Sequence, residues 1–301
     1  MTDFNLEFQT RALHGNGSFK NPHDNAIRFP VFAGVAFDFD NAEDMESSFN
    51  YRKPAHAYSK ITNPTVEHFE KKLTFLEDGY GTIALSSGMA AITNTLLAVL
   101  SQGDNLIASK YLFGNTYSLL KDTLAPFGIE TRFVDITDLA EITAEIDDNS
   151  RVILFETITN PQMIVPDCAE IAKIANLNNL LLVADGTVTT PYLFKAKEEG
   201  VHVVVHSTTK YISGGATSVG GAIVDLGSYD WSKCPSLSAY HKYGQAAFLA
   251  RLRMEVYRNF GSCMPPQSAW LQTLGLETLT LRVAASCDNS LAIAQRNGPH
   301  S

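Results

Sequence analysis

The sequence predicts an α/β protein with a mostly parallel sheet covered by helices on both faces. Two observations carry this. Short apolar runs rich in β-branched residues recur at 105–109 (NLIAS), 131–134 (TRFV), 151–156 (RVILFE), 180–185 (LLLVAD) and 201–205 (VHVVV). Helical periodicity fills the gaps between them, and strand alternating with helix implies parallel strands joined by crossovers.

The elements follow in order. Residues 1–55 are rich in Asn, Phe, Pro and Asp and show little periodicity, so they read as an arm with short helical pieces that can pack on another subunit. Asn63 and Pro64 start the first long helix, as an N-cap with proline in the first turn. Val66, Phe69, Leu73 and Leu76 recur at helical spacing, and Gly79 ends the run. A second helix begins at Gly88 and carries Ile92, Leu96 and Val99; others fall around 116–125 and, after Pro166, at 167–176. The glycine-rich stretch 213–225 (SGGATSVGGAIVD) reads as a turn feeding another strand, with an antiparallel direction open to it. From about 266 the pattern is one long helical reading, ending in RNGPHS.

Composition bounds the function. The 301 residues are 45% hydrophobic and 18% charged, with net charge -9 and pI near 5.3. Such a chain can bury a sizeable core, and without a block of Lys or Arg it predicts no nucleic-acid or membrane partner. The N-terminal segment lacks the apolar core of a signal peptide, and no run of 18 apolar residues occurs. Cys168, Cys234, Cys263 and Cys287 are scattered without a CxxC pair, which fits reduced thiols in a cytoplasmic protein. His and Cys show no ligand spacing, so no metal site is expected.

The chemistry gathers where apolar strands end. In open α/β sheets ligands bind outside the carboxyl ends of the strands. Lys210 stands in HSTTKYISGG (206–215) directly after VHVVV, with Ser207, Thr208 and Thr209 before it. A lysine there can form a Schiff base with an aldehyde cofactor while hydroxyls and N–H groups hold a phosphate. Asp185 closes LLLVAD and suits a protonated pyridine nitrogen, since a carboxylate in hydrogen-bond reach raises that nitrogen's pKa. Glu156 closes RVILFE, and Asn160 in FETITNP (155–161) can donate to a phenolic oxygen. LSSGMAA (85–91) opens into a helix whose free N–H groups and dipole favour an anion. Each feature alone has an ordinary reading: a surface lysine, a helix cap, an Asn-Pro turn, a Ser-Gly cap. Their convergence favours a site. Neither glycine-rich segment has the GxxxxGK[ST] or GxGxxG spacing, which leaves a nucleotide-binding α/β protein as the weakest reading.

The runs AYSKITNPTVE (57–67), LSSGMAA (85–91), LFGNTYSLL (112–120), ETITNPQ (156–162), ADGTVTTP (184–191), HSTTKYISGG (206–215) and RNFGSCMPPQSAWLQTLGLETLTLR (258–282) together resemble the Cys/Met-metabolism family of pyridoxal-phosphate (PLP) enzymes of fold type I, and most of all its O-acetylhomoserine sulfhydrylases. The resemblance runs from about residue 5 to 295, with the motifs in the family's order. It implies a three-layer αβα fold, with an arm at 1–55, a large PLP-binding domain at 56–262 and the start of a C-terminal domain at 263–301. It makes Lys210 the Schiff-base lysine and the base that moves the substrate's α-proton. Asp185 would pair with the pyridine nitrogen; Gly88 and Met89 amides with Ser207 and Thr209 hydroxyls would hold the phosphate. Glu156 and Asn160 would lie near the phenolic oxygen, with Thr187 beside Asp185. It also implies self-association as a dimer or tetramer, Tyr58 and Lys60 reaching the neighbouring subunit's cofactor.

Four departures from the family pattern stand out. Lys60 replaces an Arg, keeping the charge but losing the bidentate fork. Phe113 replaces the Tyr that stacks over the cofactor and helps a leaving group, so stacking remains and the hydroxyl is lost, with Tyr111 and Tyr117 as substitutes nearby. Gly186 replaces an Asn. The family continues for roughly a hundred residues, over a domain bearing the arginine for the substrate carboxylate; Arg253, Arg258 and Arg282 do not match its context and read as structural or surface residues, and the ending NGPHS resembles a frameshift or truncation. The implied reaction is γ-replacement on O-acetyl-L-homoserine by sulfide or methanethiol, giving homocysteine or methionine plus acetate. The alternatives are γ-elimination as in methionine γ-lyase, cystathionine synthesis, or a PLP-binding but inactive fragment.

Overall fold

A computed structural model describes residues 7–15, 26–50 and 52–298. Seven strands form one sheet: β1 Gly81–Leu85, β2 Asn105–Ser109, β3 Glu130–Val134, β4 Ser150–Glu156, β5 Leu181–Asp185, β6 Val203–His206 and β7 Gly221–Asp225. Their order is β1-β7-β6-β5-β4-β2-β3. Only β7 runs against its neighbours; the other pairings are parallel. The expected α/β architecture with a mostly parallel sheet is therefore present, and the strand after the glycine-rich stretch takes the antiparallel option.

Two apolar clusters fill the spaces above and below the sheet, and strand residues alternate between them as the period of two demands. Ile107, Ile153, Phe155, Leu182, Ala184 and Val204 face the helices Pro64–Leu76, Cys168–Leu177 and Pro266–Glu277. Leu106, Val152, Leu154, Val183 and Val205 face the helix Gly88–Val99 and the helical run at 247–260. Phe69, Leu73 and Leu76 are fully buried, each contributing about 1.5–3 kcal/mol by removal from water. Asn63 caps its helix as expected, its side chain accepting from the N–H groups of Thr65 and Val66.

Strand β1 was not foreseen. GTIAL is short, holds only two strong β-formers, and lies between a helix stop and the next helix start. It forms because β7 pairs with it along its whole length. On its outer edge the Ala84 N–H donates to the Glu70 carboxylate (2.8 Å), which also pairs with Arg253. One amide of that edge is thereby taken, beside a charged pair that discourages a further strand. Arg253 further donates to the Ile61 carbonyl (3.1 Å), the structural role expected of it.

The long helical reading from 266 resolves into two helices, Pro266–Glu277 and Leu279–Asn297, broken at Thr278. The arm contributes the helices Phe8–His14 and Ala42–Phe49. The first packs on its own chain: Arg11 pairs with Asp78 (2.5 Å), and Phe8 meets the Tyr192 ring at 5.4 Å. Residues 1–6, 16–25 and 51 of the expected arm lie outside the described residues. No helix among the described residues is long and apolar enough to cross a membrane.

Candidate active site

Strands β1, β2, β4, β5 and β6 share a direction, so the segments leaving them emerge on one edge of the sheet, and β7 enters from that edge. Register brings the acids together: Glu156 lies opposite Asp185, and Asp185 opposite Val205, one residue before His206. The Lys210 segment follows immediately. Strand pairing sets Glu156 and Asp185 side by side and brings the start of the 207–210 segment next to them.

The anion-binding elements also meet. Ser87 caps the helix Gly88–Val99, its hydroxyl accepting from the Ala90 N–H (3.0 Å). Gly88 lies against Ser207: a Cβ placed there would sit 2.5 Å from the Ser207 Cβ and 2.9 Å from its Oγ. Thus the helix N-terminus and the serine expected to share a phosphate are neighbours. Gly221 is just as close to the Ser87 carbonyl, a Cβ there lying 2.0 Å from that oxygen. Its neighbour Gly220 exchanges hydrogen bonds with the Thr209 hydroxyl, donating (3.0 Å) and accepting (3.1 Å). The glycine pair 220–221 therefore joins the phosphate-type loop to the lysine loop. From the sequence alone this pair reads only as a turn; the signal for more is two adjacent glycines at a strand start, where backbone must approach backbone.

Thr187 links the acid to the lysine loop. Its N–H donates to Asp185 Oδ1 (2.9 Å), and its hydroxyl accepts from the Ser207 N–H (2.7 Å). Asp185 is half-buried at the open edge. Removal from water pushes its carboxyl above the ordinary range, and the Thr187 hydrogen bonds pull the other way. Behind it, His206 Nε2 meets Glu77 Oε1 at 2.6 Å, both buried. Gly186 makes room for that ring, since a Cβ at 186 would come 2.8 Å from His206 Cε1. This gives the departure at Gly186 a packing reason.

Glu156 is 5% exposed, and burial, its largest influence, pushes its carboxyl up to about 7. Both oxygens are occupied: Oε1 accepts from the Phe113 N–H (2.5 Å) and Oε2 from the Asn160 N–H (3.0 Å). Asn160 is exposed and precedes a cis peptide to Pro161. Phe113, 46% exposed, leads into the helix Gly114–Ser118, where the Thr116 hydroxyl approaches the Met89 sulfur at 3.9 Å. Of the substitutes for the missing tyrosine hydroxyl, Tyr111 donates to Asp135 (2.7 Å) and is thereby engaged elsewhere. Tyr58 and Lys60 are exposed, and no hydrogen bond among the described residues ties either to the Lys210 cluster.

Lys210 is exposed, and its Nζ takes part in no hydrogen bond or ion pair among the described residues. The segment beyond it is held firmly. Arg282 donates to the carbonyls of Tyr211 (2.7 Å) and Gly275 (2.8 Å) and to the Thr278 hydroxyl (3.1 Å). Arg282 is structural, as expected, and it anchors the residue next to Lys210.

These residues fit a phosphorylated pyridine aldehyde. They supply an open primary amine, a carboxylate at the strand edge and a helix N-terminus beside a serine hydroxyl. Among the described residues no group of three or more His, Cys, Asp or Glu is arranged to hold a metal ion. Comparison with known proteins agrees. The chain is 37% identical over 303 residues to the sulfhydrylase FUB7 of Fusarium oxysporum f. sp. lycopersici, covering 96% of this chain and 70% of that protein. It is 34% identical to the homocysteine synthase of Schizosaccharomyces pombe, again covering 96% of this chain and 70% of the relative. Among solved structures, an O-acetylhomoserine (thiol)-lyase of Campylobacter jejuni carrying N'-pyridoxyl-lysine-5'-monophosphate superposes with TM-score 0.90 at 33% identity, over 98% of this chain and 76% of that one. The profile described as "Cys/Met metabolism PLP-dependent enzyme" matches residues 9–296. The chain belongs to the Cys/Met metabolism family of PLP-dependent enzymes.

Proposed function

We propose that this chain catalyses γ-replacement on O-acetyl-L-homoserine, with sulfide or methanethiol as nucleophile, releasing acetate and giving homocysteine or methionine. The observation that carries the reading is the convergence of Lys210, Asp185, Thr187, Ser207 and Gly88 on one sheet edge, in a chain whose relatives include a homocysteine synthase. PLP supplies the aldehyde that takes up the substrate amine and the ring that stores an electron pair.

The chain's own residues do the rest. Asp185 holds the ring nitrogen protonated, oriented by the Thr187 N–H. The Gly88 and Met89 amides, with the Ser207 hydroxyl, bind the phosphate; the Thr209 hydroxyl, whose proton is donated to the Gly220 carbonyl, joins them by turning that proton to the phosphate. Phe113 stacks on one ring face and Asn160 donates to the phenolic oxygen. Lys210, whose amine would hold the cofactor aldehyde until substrate arrives, would take the α-proton and return protons along the substrate chain. Acetate leaves from the γ-carbon, and the sulfur nucleophile takes its place. Residues 56–262 are the cofactor domain in this reading and 263–301 the start of a second one, while Tyr58 and Lys60 serve the neighbouring subunit of a dimer or tetramer.

Turnover decides the matter. Purified chain incubated with PLP, O-acetyl-L-homoserine and sulfide is expected to form homocysteine and acetate in equal amounts. Release of 2-oxobutyrate in place of homocysteine would mean elimination, and bound PLP with neither product would mean an inactive cofactor-binding fragment.

A further inference from the structure

The two cofactor-facing segments before β3 and after β4 have no covalent or helical reason to hold a fixed spacing. Phe113 starts a helical run that leaves β2 through Lys110–Leu112, and Asn160 sits in a turn ending in a cis proline. One side chain joins them. Glu156 ends β4, is buried, and spends one oxygen on each segment: Phe113 N–H at 2.5 Å and Asn160 N–H at 3.0 Å. The backbone N–H of Phe113 has no other partner in the helix it begins, because the first N–H groups of a helix are unsatisfied from within. Placing an acid there costs desolvation, which pure packing does not require.

We propose that Glu156 is a positioning residue: its carboxylate is a two-armed clip that sets the gap between the Phe113 ring and the Asn160 amide, and so the width of the slot for the cofactor ring. This adds to the expectation that Glu156 lies beside the cofactor, since one acceptor site of each oxygen goes to backbone. It rests on the reading of this edge as the PLP site. The clip needs the ionised form, because a protonated carboxyl turns one acceptor into a donor facing an N–H. Burial and the facing Asp185 on β5 both favour the neutral form, the Asp185 contribution being the smaller. The clip therefore tightens as pH rises through about 7.

Two readouts test this, one without cofactor. In the cofactor-free chain, amide hydrogen exchange at Phe113 and Asn160 is compared with that of β5 amides as a reference. Glu156→Gln keeps one oxygen, so one amide is expected to retain protection and the other to lose about tenfold, a charge-assisted hydrogen bond exceeding 1.4 kcal/mol; Glu156→Ala loses both. The protection factors of the parent rise between pH 6 and 8 on either side of the value near 7, and those of Glu156→Gln stay flat. With PLP added, Glu156→Gln binds about tenfold more weakly while borohydride still fixes the cofactor on Lys210. Unchanged protection in Glu156→Gln, or lost protection with parental PLP affinity, overturns the proposal. If the parent fixes no PLP on Lys210, the site reading fails, and the exchange data still decide whether the clip exists.

Discussion

A methyl group at position 88 tests the phosphate loop directly. Gly88 opens the helix Gly88–Val99, and the alanine Cβ would sit 2.5 Å from Ser207 Cβ and 2.9 Å from both its Cα and Oγ. Carbon atoms prefer about 3.5–4.0 Å, so roughly 1 Å must be gained by separation. Ser207 cannot yield freely, because its N–H is fixed to Thr187 Oγ1 at 2.7 Å, and Thr187 in turn to Asp185. Overpacking of this kind costs about 1–3 kcal/mol. Moving Ser207 away from the helix N-terminus would also weaken the charge-assisted hydrogen bond proposed between its hydroxyl and the phosphate, worth about 1.5–3 kcal/mol. Gly88→Ala should therefore weaken PLP binding by at least about tenfold, measured by fluorescence titration of the cofactor-free protein. Gly34→Ala is the control, its nearest atom being the Ala36 carbonyl oxygen at 3.8 Å. If Gly88→Ala bound PLP within twofold of the parent, the phosphate would not lie between Gly88 and Ser207.

Other predictions follow from neighbouring features. Lys60→Arg restores a bidentate fork and should tighten PLP binding in the assembled oligomer; unchanged affinity would mean Lys60 does not reach a phosphate. Arg282→Ala removes three hydrogen bonds, one of them to the Tyr211 carbonyl, and should lower the urea midpoint while accelerating amide exchange at 211–214 relative to the sheet. His202 accepts from the Leu182 N–H on Nδ1 (2.9 Å) and faces Asn176 Oδ1 with Nε2 (3.2 Å), so it is neutral when folded. Burial pushes it down to about 4. Its contribution is present above the unfolded value near 6.5 and is lost as pH falls toward 4, about 3 kcal/mol in all. Urea unfolding across that range should show the slope, and His202→Gln should flatten it.

Much of this edge was legible in the sequence because the signals are local. A strand that ends in an acid, or runs straight into Ser-Thr-Thr-Lys, declares where its polar group will sit once the sheet is parallel. The cap at Asn63 and the stripe Val66, Phe69, Leu73 and Leu76 were legible for the same reason. What escaped depends on partners far apart in the chain. Strand β1 exists through its pairing with β7, some 140 residues on. The Gly220–Gly221 pair matters only because Ser87 and Thr209 come to it. The break at Thr278 leaves the apolar spacing of LETLTLR intact, so periodicity ran straight across it. Glu156 could be placed at the site from sequence, but its two backbone partners could not, since an acceptor's choice between ligand and main chain is a matter of angstroms.

Lys210 is the residue proposed to hold the cofactor aldehyde. Purified chain is mixed with PLP, its visible spectrum recorded, the complex reduced with borohydride and the protein digested for peptide mapping. A visible band that reduction abolishes is expected, with a pyridoxyl group on the peptide bearing Lys210 that is absent from Lys210→Ala. A folded protein with the group on another lysine, or on none, would contradict it.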